Sequence, residues 1–228
     1  MENFEEFKSW LQNQQEYKDC LKDEPLIIFL GGSRGNQFET EDSDYDIICV
    51  ADDNSWDYKN VVLSNMFYDK YVHIMFLSKQ RLIDIFINDY HRENLRLYTF
   101  FMCLFTKYVI YETKKGQEFR EFVTSNSKYF YEHGLYLLCS SNIISFNPIL
   151  NSKTPIYIGK QLAHILCAYS NVKDLNLNEL VIKVKRKQSI TLIEWEQIQN
   201  IISELKKFYE HFNPNRMMSL KIIMMGMI

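Results

Sequence analysis

An α/β (α+β) fold is predicted, with a small sheet and its helices in the first half and an all-helical region after it. Three observations carry this. Short apolar runs bounded by turn formers recur up to Tyr111, as strands do. From about residue 128 the apolar positions follow helical spacing instead. Between the first two runs lies a Gly-Gly-Ser turn followed by Asp-x-Asp, a strand–turn–strand pattern that carries chemistry.

Residues 3–21 read as one amphipathic helix, because Phe4, Phe7, Trp10, Leu11 and Tyr17 recur near helical spacing. Residues 25–30 make a first strand and 45–51 a second. Asp52-Asp53-Asn54-Ser55 is a loop of turn formers. Residues 60–68 fit either a helix or a strand. Tyr71 to Leu77 is rich in β-branched and aromatic residues and reads as a third strand. Ser78 suits the cap of a helix running through Asp89. A helix is expected over Leu97–Leu104, a short strand over Lys107–Tyr111 and a helix over Glu118–Val123. Further on, Tyr129–Ser140 and Ile156–Tyr169 have helical periodicity. Thr191-Leu192-Ile193-Glu194 is a capping box opening a helix that continues through Phe208. Asn147-Pro148 and Asn213-Pro214 punctuate loops. No internal repeat or low-complexity linker is visible. The boundary between a core of residues 1–126 and a helical region of residues 127–228 is therefore a soft one.

With 228 residues, 46% of them hydrophobic and 15% aromatic, the chain can bury a sizeable core in one domain or two small ones. Its five cysteines (Cys20, Cys49, Cys103, Cys139, Cys167) are widely spaced and never form C-x-x-C. That argues against a disulfide framework or a zinc site and for a reducing compartment. The opening Glu2-Asn3-Phe4-Glu5-Glu6-Phe7 is unlike a signal peptide, and no apolar run approaches the length of a membrane span. A soluble, cytoplasmic protein is the expectation. The net charge of −3 hides an asymmetry, since residues 151–228 carry 11 Lys/Arg against 6 Asp/Glu. An acidic first half and a basic second half make sense if a triphosphate or a nucleic acid lies between them. Any nucleic-acid contact should be local.

Residues 30–50 hold the densest chemistry. Leu26 to Leu30 ends in Gly31-Gly32-Ser33, where two glycines permit a sharp turn and close approach of backbone N–H groups to an anion. Ser33 adds a hydroxyl and can begin a helical turn whose N-terminal end favours phosphate. Asp44 and Asp46 open the second strand, so both carboxylates project from one face, roughly 7 Å apart at Cα. Two hard oxygen ligands beside a phosphate cradle suit Mg²⁺ carrying a triphosphate. An ordinary β-turn-β with a polar loop is the bland alternative.

The whole arrangement resembles the signature of polymerase-β-type nucleotidyltransferases: an apolar residue, Gly-Gly-Ser, a spacer from Arg34 to Ser43, then Asp44-Tyr45-Asp46. Gly32-Ser33-Arg34 with Asp42-Ser43-Asp44-Tyr45-Asp46 is most similar to the RlaP-like branch, which is proposed to act in RNA repair and is frequent in phages. The resemblance implies a twisted mixed sheet with helices on one side, and a helical C-terminal region closing one wall of the nucleotide site. It implies transfer of a nucleoside monophosphate from an NTP, such as ATP, to a hydroxyl, with release of pyrophosphate. Gly32 and Ser33 would hold the triphosphate, and Asp44 and Asp46 would bind Mg²⁺, with Mn²⁺ as the alternative ion. Acceptors in the superfamily include RNA 3′ ends, tRNA, proteins and small aminoglycosides. The chain selects none of them.

One departure matters. The family expects a third acidic residue within a neighbouring strand, and Val72-His73-Ile74 occupies that pattern. His73 can ligate a metal when neutral or act as a base near neutral pH, and as a softer ligand it favours Mn²⁺. A sheet-face histidine with weakened or lost activity is the equal alternative. Asp69 shares the strand parity but lies roughly 13 Å away along an extended strand, and Asp84 falls on the next helix. Arg34 follows the turn and is expected at a phosphate or in solvent. Lys160, one turn before His164, is carried over as a basic residue for the triphosphate, with a solvated lysine as the plainer reading. Lys183, Lys185, Arg186 and Lys187 suit an RNA backbone or a solvated face. The apolar tail from Ile222 to Ile228 suits packing or a protein partner better than a membrane. The competing reading is an antitoxin-like or catalytically degenerate nucleotidyltransferase that acts by binding a partner.

Overall fold

The computed structural model of the chain describes residues 4–22, 24–52, 59–79, 108–128, 132, 135 and 156–211. They fall into two compact units that divide between Ser127 and Lys128. In the first, β1 (Ile27–Leu30), β2 (Tyr45–Ala51), β3 (Lys59–Val62), β4 (Val72–Ser78) and β5 (Val109–Glu112) form one sheet in the order β3-β4-β2-β1-β5. β2 and β4 run parallel and the other neighbours antiparallel, so the sheet is mixed. Residues 60–68, ambiguous in sequence, begin as strand β3 and end in a tight hairpin. Phe67 and Lys70 exchange backbone hydrogen bonds at 3.0 Å around Tyr68 and Asp69, whose φ values are 48° and 57°. Two successive left-handed residues make the turn whose twist matches a hairpin, here without glycine.

Alternation along the strands sends Tyr45, Ile47 and Cys49 to one face of the sheet, with Ile28, Leu30, Val72 and Ile74. That face buries its apolar area against Phe7, Leu11, Tyr17 and Cys20, which come from α1 (Phe4–Leu11) and α2 (Gln15–Lys22). Phe7 stacks on Tyr45 at 4.3 Å between ring centroids and meets Phe67 edge-on at 5.3 Å. The single helix expected over residues 3–21 is thus two. Asn13 N bonds to Trp10 O and Gln14 N to Leu11 O, and both side-chain amides turn back onto the carbonyls of Ser9 and Trp10. Such amides compete with the helical ladder. The break leaves both apolar pairs free to face the sheet.

After β5, Thr113 starts α4 (Lys114–Ser125), its hydroxyl accepting from Gly116 N at 3.1 Å. This helix is longer than the span Glu118–Val123 expected. A Cβ on Gly116 would lie 2.0 Å from the Leu26 carbonyl, so glycine there lets α4 begin against the entry to β1. At the far end of β2, Asp52 pairs with Lys79 at 2.8 Å and Lys115 at 3.0 Å. Both hydrogen bonds, Lys79's above all, hold its carboxyl below the ordinary range.

The second unit holds α5 (Ile156–Lys173), α6 (Asn178–Arg186) and α7 (Leu192–His211). α5 packs against α6, with Leu162, Ile165, Leu166, Leu180 and Val184 buried. α6 is absent from the sequence reading, because its short apolar stripe is interrupted by lysines and its N-terminus lacks a side-chain cap. The basic cluster sits on its last turn and C-cap, where cations suit the carbonyl end of a helix. Lys183 pairs with Glu194. The capping box is present: Glu194 Oε2 accepts from Thr191 N at 2.8 Å, and Thr191 Oγ1 accepts from Glu194 N at 3.3 Å. Among the described residues, no helix is long and apolar enough to cross a membrane. The expectations for residues 53–55, 80–104, most of 129–140, Asn147-Pro148, Asn213-Pro214 and the tail Ile222–Ile228 lie outside the described residues.

Glu194 generates a pH prediction. Its hydrogen bonds from Lys183 and Thr191 draw the carboxyl down to about 2 from an ordinary 4.5. A carboxyl lower in the folded state stabilises fully above its unfolded value, and that share is lost as pH falls toward about 2. Thermal melts of Glu194→Gln across this window should show a shallower acid-side decline than the wild type. An unchanged slope refutes the role of the pairing.

Candidate functional site

The site begins where β1 ends. Gly31 is extended, Gly32 turns left-handed at φ 60°, and Gly32–Gly35 form a single helical turn, α3. Gly35 N bonds to Gly31 O at 2.8 Å, and Asn36 closes the turn on Gly32 O through both its backbone N and its side-chain amide. The turn is tied to the neighbouring strand, because Gly31 N donates to Asp46 O at 2.6 Å. It also lies under the Asp46 side chain. A Cβ built on Gly32 would come within 2.0 Å of Asp46 Oδ2. Glycine is required here twice over, for its positive φ and for the space the carboxylate fills.

Asp44 and Asp46 share strand parity, and Tyr45, Ile47 and Cys49 are committed to the core between and beyond them. Both acids therefore belong to the sheet face opposite α1 and α2. The parallel pairing of β2 with β4 places His73 beside Asp46. His73 Nε2 lies 3.8 Å from Asp44 Oδ2, with side chains 28% and 46% exposed. Tyr71, two residues earlier on the same face, sets its ring 6.4 Å from that of His73. Backbone pairing and parity thus gather the Gly32-Ser33 turn, Asp46, Asp44 and His73. Asp69 stays apart at the tip of the β3–β4 hairpin. Asp84 lies outside the described residues, and Lys160 belongs to α5 in the other unit.

Arg34 turns away from the glycine turn toward the loop before β2. Its Nη2 donates to Ser43 O at 2.7 Å, and Nε is 3.2 Å from the carbonyls of both Ser43 and Asp44. The guanidinium carbon stands 4.0 Å from the centre of the Tyr45 ring. Burial pushes the Tyr45 phenol above its ordinary value, while the Arg34 charge pulls the other way. Ser43 is buried, and its hydroxyl accepts from Thr40 N at 2.8 Å. Sequence reasoning missed Asn36, Ser43, Tyr45 and Tyr71 as parts of this site. Two of them carried a signal: Asn36 stands four residues after Gly32, and Tyr71 precedes His73 by one strand repeat.

Among the described residues, no three His, Cys, Asp or Glu side chains are gathered so as to hold a metal ion by themselves. The acids nearest the Gly32 turn are two carboxylates of one strand face, Asp46 over the glycine and Asp44 beside His73. Mg²⁺ is commonly bound by one or two carboxylates with substrate phosphates completing its shell, so this donor set fits an ion that arrives with a nucleotide.

No protein-family model matches the chain. Two curated proteins of Dictyostelium discoideum, described as probable polyketide synthases 30 and 32, are each 28% identical to it over 200 residues. The match covers 80% of this chain, which spans about 6% of the length of those relatives. Among solved structures, a nucleotidyltransferase-like protein from Exiguobacterium sibiricum aligns over 92% of this chain and 70% of its own. The identity is 12% and the TM-score 0.35, a likeness too distant to assign family or activity.

The contact between Gly32 and Asp46 can be tested as a thermodynamic coupling. Gly32→Ala adds a Cβ at positive φ and into the carboxylate, and should cost about 1–3 kcal/mol. In an Asp46→Ala background the same change loses the clash with the carboxylate and keeps the backbone strain and a tight 3.1 Å contact with the remaining Cβ. Urea unfolding of the double-mutant cycle should therefore give a coupling above ~0.5 kcal/mol. Strict additivity would mean that the carboxylate does not lie over the glycine.

Proposed function

We propose that this chain is a metal-dependent nucleotidyltransferase that moves a nucleoside monophosphate from an NTP to a hydroxyl acceptor. One observation carries the reading: two carboxylates on one strand face, one of them lying over the glycine of a Gly-Gly-Ser turn. Phosphoryl transfer needs charge neutralisation and alignment more than covalent chemistry from the protein. Gly32 and Ser33 would hold the triphosphate, the glycine by letting backbone approach the anion closely and the serine through its hydroxyl. Asp44 and Asp46 would hold Mg²⁺ or Mn²⁺, which when bound neutralises phosphate charge and polarises the reacting oxygens.

In the transfer itself the acceptor oxygen attacks the α-phosphorus. Its new P–O bond forms as the bond to the β-phosphate oxygen breaks, and pyrophosphate leaves. His73, beside Asp46 and near Asp44, would be the group that takes the hydroxyl proton in this reading. The acceptor classes implied by the family resemblance, an RNA or tRNA end, a protein or a small molecule, are distinguished by assay with labelled NTP.

A second reading has its own observation. A histidine, not an acid, pairs with Asp46, and no third carboxylate joins the two among the described residues. That favours a degenerate relative which binds nucleotide or a protein partner without turnover. The two readings separate at His73.

Asp44→Ala and Asp46→Ala should each abolish Mg²⁺-dependent NTP binding in calorimetry while the unfolding transition persists. Undiminished binding by both variants sinks the metal assignment. His73→Asp should move the metal preference of transfer from Mn²⁺ toward Mg²⁺, because a carboxylate is the harder ligand. A wild type that binds nucleotide without turnover, while His73→Asp turns over, supports the degenerate reading instead.

A further inference from the structure

Arg34 is one residue past the Gly32-Ser33 step, where a cation would be expected to face a phosphate. Its bonds run the other way. Three consecutive positions receive it: the carbonyl of Ser43, the carbonyl of Asp44 and the ring of Tyr45. That ring also stacks on Phe7 at 4.3 Å, so the guanidinium rests on a group already fixed in the core. The loop it reaches is tied at its start by Phe38 N to Ser33 O at 3.0 Å and turned near its end by Ser43 N to Thr40 O at 2.9 Å and Thr40 N to Ser43 Oγ. The first backbone bond from its end to the sheet is Tyr45 N to Tyr71 O, one residue after Asp44.

The way Asp44 is held has a chemical consequence. Arg34 grips it through its carbonyl, while the carboxylate Oδ2 points toward His73 at 3.8 Å. The strong cation thus fixes the main chain on both sides of the Asp44 nitrogen and leaves the carboxylate to accept another cation. Two carboxylates alternating on a strand repel each other, and a loose loop would relieve that by swinging Asp44 into solvent. A planar fork that bonds two carbonyls and lies on an aromatic ring resists this, and a lysine cannot reproduce it.

We propose that Arg34 is a positioning residue for Asp44, keeping its carboxylate on the Asp46 face, and is not a ligand of the triphosphate. The metal consequence rests on the nucleotidyltransferase reading above; the positioning of the loop does not. Full-length wild type, Arg34→Lys and Arg34→Met are compared by amide hydrogen exchange and by Mn²⁺ titration followed by electron paramagnetic resonance. ATP binding is measured in parallel with the metal chelated.

Both variants should speed exchange of the Thr40, Ser43 and Tyr45 amides on the order of tenfold or more, as loss of hydrogen bonds from a charged donor implies. Exchange at Ile48 to Val50 should stay at the wild-type rate, which separates local release from unfolding. Mn²⁺ affinity should fall on the order of tenfold in Arg34→Lys, while metal-free ATP binding stays unchanged. Wild-type exchange in both variants overturns the proposal. So does Arg34→Lys with normal Mn²⁺ affinity, or Arg34→Met losing metal-free ATP binding that Arg34→Lys retains, which is the behaviour of a phosphate contact. A wild type that binds no Mn²⁺ defeats the reading of the site, and the exchange rates alone then decide whether Arg34 holds the loop.

Discussion

Asp46 lies over Gly32, and much of the first unit is arranged so that it can. The carboxylate needs a residue without a side chain beneath it, and it meets one that is also the left-handed hinge between β1 and α3. The backbone of the same aspartate accepts from Gly31, so the turn and the strand are locked at two points one residue apart. The antiparallel register of β1 with β2, Leu30 opposite Ile47, brings Gly31 level with Asp46. A one-residue slip would send Asp46 into the core face and Ile47 into the site. Burial of Ile47 and Cys49 therefore enforces the chemistry on the opposite side.

That enforcement comes largely from the N-terminal helices. Phe7 stacks on Tyr45, the residue between the two acids, and Leu11, Tyr17 and Cys20 complete the cover. Had residues 3–21 stayed one straight helix, the two apolar pairs would have been carried along a single axis. The fold of Asn13 and Gln14 back on their own helix permits both pairs to reach the sheet. The order of the core and the aim of the acids are one arrangement seen from two faces.

The second unit follows simpler rules. Its capping box was legible because both partners lie within four residues and need only each other. α6 was not, because lysines between its apolar positions read as a charged run. Those lysines are placed where a helix end favours them, and Lys183 reaches Glu194 at the start of α7.

By itself the sequence determined four of the five described strands, β3 excepted, the two glycines of the turn and the common face of Asp44 and Asp46. Each follows from local rules: two-residue periodicity, the freedom of glycine, and apolar residues that must be buried. Tertiary structure decided the rest. Which strand lies beside β2 is a matter of register, so only the fold puts His73 next to Asp46 and sets Asp69 at a hairpin tip. A guanidinium has no sequence signal for its direction, and Arg34 turned toward Ser43, Asp44 and Tyr45 because the carbonyls and the ring were assembled there by the core. Periodicity assigns a side chain to a face, but its neighbours on that face come from distant segments, and only packing brings those together.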